Sequence, residues 1–222
     1  MSARPSAGDA ATGDHAAAKR WVAVEGACCA GKTTLSQGLL CALTGIMISH
    51  VTCFADHVGG GRFLPRPVPE SVSEDQDALQ ALLAVEADRV ATARAAACHL
   101  VLMDRSVHTL LAHRYALDRV TGLACFAQAE RVIARSAVPA WPDLVLYLDV
   151  TQQVILDRNR RKFPPDSIFI DTQFNAGVRS YFARATDQEE ARIVWLDGTL
   201  HPAKLVSIAK GHIKELLRGR NT

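Results

Sequence analysis

Apolar residues along this chain fall into short continuous runs, which alternate with longer segments where they recur every three or four positions. The runs "WVAVE" (21–25), "IMISHVTCF" (46–54), "HLVLMD" (99–104), "DLVLYLDV" (143–150) and "ARIVWLD" (191–197) predict β-strands. Between them the 3.6-residue period predicts helices over 32–45, 77–97, 106–120, 123–137, around 168–184 and over 202–217. Strands that are apolar throughout must be covered on both faces, so the pattern predicts a parallel sheet between two helical layers, an α/β fold. Ligands of such sheets sit at the carboxyl ends of the strands. One segment, 55–75, is rich in glycine and proline and reads as a loop of about 20 residues, a length that usually signals function or disorder.

Composition narrows the classes. At 222 residues, 49% of them hydrophobic, the chain fits one domain over 20–222 behind a small, polar, disordered tail over 1–19 that lacks the apolar centre of a secretion signal. A net charge of +2 provides no global field for nucleic acid or an anionic membrane, and no run approaches the ~20 apolar residues of a membrane span. The six cysteines, 28, 29, 41, 53, 98 and 125, show no C-x-x-C spacing, which fits a reduced, cytoplasmic protein. Cys53 and His57 are spaced like half of a zinc site without a second half, so no structural zinc is expected.

The chemistry begins at 26–34. Gly26-Ala27-Cys28-Cys29-Ala30-Gly31-Lys32-Thr33, followed by Thr34, satisfies G-x-x-x-x-G-K-[ST] between a predicted strand and a predicted helix. Glycines let the backbone wrap an anion, successive N–H groups point inward, and the helix adds its positive end. The motif predicts nucleoside triphosphate binding, with Lys32 on the β- and γ-phosphates and the Thr33 hydroxyl on Mg²⁺. Cys28 and Cys29 read either as small side chains tolerated in a backbone cradle or as a redox-sensitive pair.

A P-loop alone fits a kinase, a GTPase or a mechanical ATPase, and the base-reading N-K-x-D segment of GTPases is missing. From 21 to 217 the chain resembles the thymidylate kinase and deoxynucleoside kinase family. The resemblance is carried by "VAVEGACCAGKTTL", "ALLAVEADRVATA", "VLMDRSVHTLLA", "PDLVLYLDVTQQVILDRNRRK" and "FNAGVRSYF", in that order. It implies a P-loop NTPase three-layer sandwich with a five-stranded parallel sheet in order 2-3-1-4-5 and a short Arg-rich lid. It also implies ATP and Mg²⁺ as cofactors, a nucleoside or nucleoside monophosphate as acceptor, and a homodimer formed through helices beside the sheet. By the same resemblance Asp104 would hold Mg²⁺ through water and Arg105 would grip a phosphate. Arg158, Arg160, Arg161 and Lys162 supply the lid; placed on one helix face, positions 158, 161 and 162 could close over the γ-phosphate.

The acceptor side departs from the family. The P-loop has alanine and cysteine where thymidylate kinases carry an acid, and Val85 stands where they place a phenylalanine four residues before the base-reading arginine, here Arg89. Glu70 is a candidate hydrogen-bond acceptor for the attacking hydroxyl, Arg66 for neutralising an acceptor phosphate, and His108 and His113 for lining the pocket. Three readings follow: a nucleoside or nucleotide kinase, a kinase for another small hydroxyl metabolite or natural product, and a regulatory P-loop protein whose output is conformational.

Overall fold

The structure, a computed structural model, describes residues 19–188 and 192–219. Five strands, β1 (Arg20–Gly26), β2 (Ile48–Val51), β3 (Leu100–Asp104), β4 (Leu144–Asp149) and β5 (Ile193–Asp197), form one all-parallel sheet in the order β2-β3-β1-β4-β5. The helices are α1 (Lys32–Ala42), α2 (Phe54–His57), α3 (Val72–Ala95), α4 (Val107–Thr121), α5 (Phe126–Arg135), α6 (Gln152–Asn159), α7 (Thr172–Asp187) and α8 (Pro202–Arg218).

Strand side chains alternate between faces, and the two layers divide accordingly. Val22, Val24, Leu102 and Leu146 pack with Leu39 of α1 and Ile213 of α8. The intervening residues face the other way: Ala23 and Met103 meet Val90 and Ala93 of α3, and Val145 and Tyr147 meet Leu111, Ile133 and Phe182 of α4, α5 and α7. All of these are buried. The α4–α7 crossing is close because Gly177 lies over Ala116, where a β-carbon would come within 2.8 Å of backbone. The strand order and the helices on both faces are consistent with a P-loop NTPase fold.

One expectation changes. The 55–75 segment is not one loop: it contains most of α2, a 3₁₀ turn at Gly61–Phe63 and the first turn of α3. The reason is local. Phe54 turns into the core and ends β2 early, and Ser71 caps α3 by accepting the Glu74 N–H at 3.1 Å, while Glu74 accepts the Glu70 N–H at 2.6 Å. The tail expected over 1–19 lies outside the described residues except for Lys19, whose ammonium donates to the Ala93, Arg94 and Ala96 carbonyls at the end of α3. Among the described residues no helix is long and apolar enough to cross a membrane.

Candidate functional site

The loop between β1 and α1 lies at the carboxyl edge of the sheet, with β1 in the centre. Gly26, Cys29 and Gly31 all have positive φ, at 135°, 63° and 105°. A β-carbon on Gly26 would lie 2.7 Å from the Leu148 carbonyl, so only glycine fits where the loop leaves β1 beside β4. Gly31 is the N-cap of α1 and brings no side chain to its first-turn amides, and that turn contains no acid. Those N–H groups are therefore left for an anion.

Lys32 is 7% exposed and folds back on the loop, donating to the carbonyls of Gly26 at 3.1 Å and Ala27 at 2.7 Å. Burial, with the Arg105 charge adding to it, lowers its pKa to about 8. Thr33 Oγ1 donates to Asp104 Oδ2 at 2.9 Å, joining the start of α1 to the end of β3. Asp104 is 3% exposed and its Oδ1 is buried without a partner. A hydroxyl beside a carboxylate with one orphaned oxygen is a hard-oxygen donor set, and it fits Mg²⁺.

Arg105 follows Asp104 with φ at 69°, and its Nη2 donates to Cys28 Sγ at 3.3 Å, so its guanidinium faces the phosphate loop. Cys29 packs near Ala27, Ile155 and Phe163, and burial raises its pKa.

The lid residues do not form the expected helix face. α6 ends at Asn159, and Arg160 and Arg161 take the left-handed region at φ 40° and 67°, which turns Arg161 and Lys162 off the face of Arg158. Arg158 donates to the Ala30 carbonyl and the Gly198 carbonyl, 2.9 Å each, bridging the P-loop to the loop after β5. Arg161 is exposed.

On α3, Arg89 and Glu86 form an ion pair with both side chains 0% exposed. The guanidinium of Arg89 also donates to the carbonyls of Thr52, Asp104 and Arg105, and lies 3.9 Å from the ring centroid of Phe54. Arg66 and Glu70 pair with each other at 2.7 Å on the exposed flank. His113 Nε2 meets the Pro67 carbonyl at 2.7 Å, its ring packs edge-on against Phe174, and burial lowers its pKa to about 4.

Sequence reasoning missed Glu25 and Glu86. Glu25, 1% exposed at the end of β1, accepts from the Ser106 N–H and from the Ser106 and Thr109 hydroxyls. The signal was an acid closing an otherwise apolar strand. Glu86 is marked by its i,i+3 spacing from Arg89. No protein-family model and no curated protein matches the chain.

Proposed function

We propose that this protein is an ATP- and Mg²⁺-dependent small-molecule kinase that transfers the γ-phosphate to a nucleoside or nucleoside monophosphate, in the manner of the thymidylate kinase-like enzymes. The observation that carries the reading is the Thr33–Asp104 contact of 2.9 Å, with Asp104 Oδ1 orphaned at the mouth of a P-loop whose helix start is uncapped. Phosphoryl transfer asks the protein for position and positive charge more than for covalent chemistry, and these residues supply both.

In this reading the α1 amides and Lys32 bind the β- and γ-phosphates, Lys32 exchanging its bonds to Gly26 and Ala27 for phosphate oxygens. Thr33 and Asp104 would hold Mg²⁺, which would neutralise the charge that develops on the transferring phosphate. Arg105 turns from Cys28 to the phosphate in flight. Arg158 turns from the Ala30 and Gly198 carbonyls to the γ-phosphate, and Arg161 reaches in from the exposed lid. Six unpaired thiols support a reducing, cytoplasmic setting.

One observation favours the second reading, a kinase for a different hydroxyl metabolite. Arg89 is paired with Glu86 with both side chains 0% exposed, so turning it to a nucleotide acceptor would strand a buried carboxylate. A regulatory nucleotide-binding protein would need no acceptor. The test is ADP formation across nucleosides, nucleoside monophosphates and sugars. An acceptor that raises ADP release at least about tenfold over water is expected, and K32A and R105A should abolish that increase by losing transition-state charge. No stimulation by any acceptor rejects the kinase and leaves the regulatory reading.

A further inference from the structure

Glu25 has no part in the chemistry above, yet it is a buried carboxylate within the P-loop wall. Its Oε1 accepts the Ser106 N–H at 2.7 Å and the Ser106 hydroxyl at 2.8 Å, and its Oε2 accepts the Thr109 hydroxyl at 2.7 Å. Burial raises its pKa, while the Arg105 charge and these three donors pull the other way. With both oxygens engaged and shielded from solvent, it is not placed to take a proton from an acceptor. Its donors all lie just beyond Arg105, on the first turn of α4, where a negative charge also suits the positive end of the helix.

Arg105 is the residue that needs holding. A residue with a β-carbon adopts φ 69° only at a cost, so its surroundings must fix it there. Its N–H donates to the Val24 carbonyl at 3.1 Å, its carbonyl accepts from Arg89 at 2.9 Å, and the next N–H is the one that Glu25 accepts. From that conformation its guanidinium reaches Cys28. We propose that Glu25 is a positioning residue that fixes the Arg105–Ser106 turn and thereby aims the Arg105 guanidinium at the phosphate loop. The consequence for turnover rests on the kinase reading; the aim of the side chain does not.

The Arg105–Cys28 contact gives a readout independent of catalysis. In a full-length C29S background, the rate of iodoacetamide alkylation at Cys28 is followed by mass spectrometry of the 21–32 peptide, for E25A, E25Q, R105A and E25A/R105A. E25A and R105A should shift that rate by the same factor, about threefold or more, and the double variant should go no further, because residues acting through one another are not additive. E25Q, whose amide can still accept from Ser106 and donate to Thr109, should stay near the wild-type rate. In acceptor-stimulated turnover E25A should fall with R105A, and E25Q should recover most of the loss. If E25A does not fold, T109V, which removes the Oε2 contact alone, should shift alkylation in the same direction by a smaller factor. Wild-type alkylation in E25A or R105A, or effects that multiply in the double variant, overturns the assignment. Coupled alkylation in a protein that no acceptor stimulates would reject the kinase and leave Glu25 as the residue that sets Arg105.

Discussion

Arg89 is the residue on which sequence and structure make different demands. By resemblance it would read an acceptor; in the structure it neutralises Glu86 and ties down three backbone carbonyls. Replacing it with methionine keeps much of its volume and strands Glu86, whose side chain is 0% exposed. Breaking a buried pair from one side costs about 3–5 kcal/mol. The Thr52, Asp104 and Arg105 carbonyls also lose a donor, at about 1 kcal/mol each where water cannot replace it. R89M should therefore lose about 4 kcal/mol or more, read as a lower urea midpoint with an unchanged slope. E86L/R89M should recover at least about 1 kcal/mol relative to the sum of the single variants, since removing both charges leaves neither unpaired. Recovery should be incomplete, because the three carbonyls remain bare. If R89M unfolds within about 1 kcal/mol of wild type and changes only the acceptor KM, the buried-pair account is wrong and Arg89 is free to reach a ligand.

Two further outcomes test the packing behind the site. His108, 2% exposed with Nε2 unpartnered, has its pKa lowered by burial from 6.5 to about 4. The unfolded chain therefore binds a proton below pH 6.5 that the folded one refuses, so this contribution is intact above pH 6.5 and about 3 kcal/mol is lost as pH falls towards 4. H108Q should flatten that part of the urea stability–pH curve, and an equal slope in both proteins would exclude His108 as the source. G177A places a β-carbon 2.8 Å from the Ala116 backbone and should lower stability by about 1–3 kcal/mol in thermal or urea unfolding; no change would mean that α4 and α7 separate freely.

The sheet and the glycine-rich loop after β1 were legible because each is local in sequence. Apolar runs such as "LVLYL" specify a strand covered on both faces, and Gly26 to Thr33 carry their own backbone requirements. Asp104 came from the resemblance carried by "VLMDRSVHTLLA", which sets an acid at the end of an apolar strand. The same signal at Glu25 was passed over, because its partners, Ser106 and Thr109, lie more than 80 residues away and only the β1–β3 pairing brings them together. The ring that Arg89 packs against is Phe54 of α2, a residue that the apolar run assigns to a strand. The lid was misread for a backbone reason. Left-handed φ at two successive arginines has no sequence signature, and it ends the helical face after Asn159.

Under the kinase reading, the cations at the site are where the binding free energy of a nucleotide would come from. Lys32 and Arg158 already bond to backbone carbonyls of the P-loop and its neighbour, and Arg105 bonds to a thiol of the same loop. Under the kinase reading none of them is recruited from solvent. Each exchanges a neutral acceptor for a phosphate oxygen, so a cation's bond to a carbonyl or thiol becomes a bond between opposite charges. The positive charge is thus assembled before the ligand arrives, and little side-chain entropy remains to be lost on binding. Arg89 is the exception, because its partner Glu86 is itself charged and buried. Moving Arg89 to a ligand would expose that carboxylate to an unpaired site, so the exchange that favours Lys32, Arg105 and Arg158 opposes Arg89. If the protein is a kinase, cations that can switch beside an arginine that cannot leave recognition of the acceptor to groups other than Arg89.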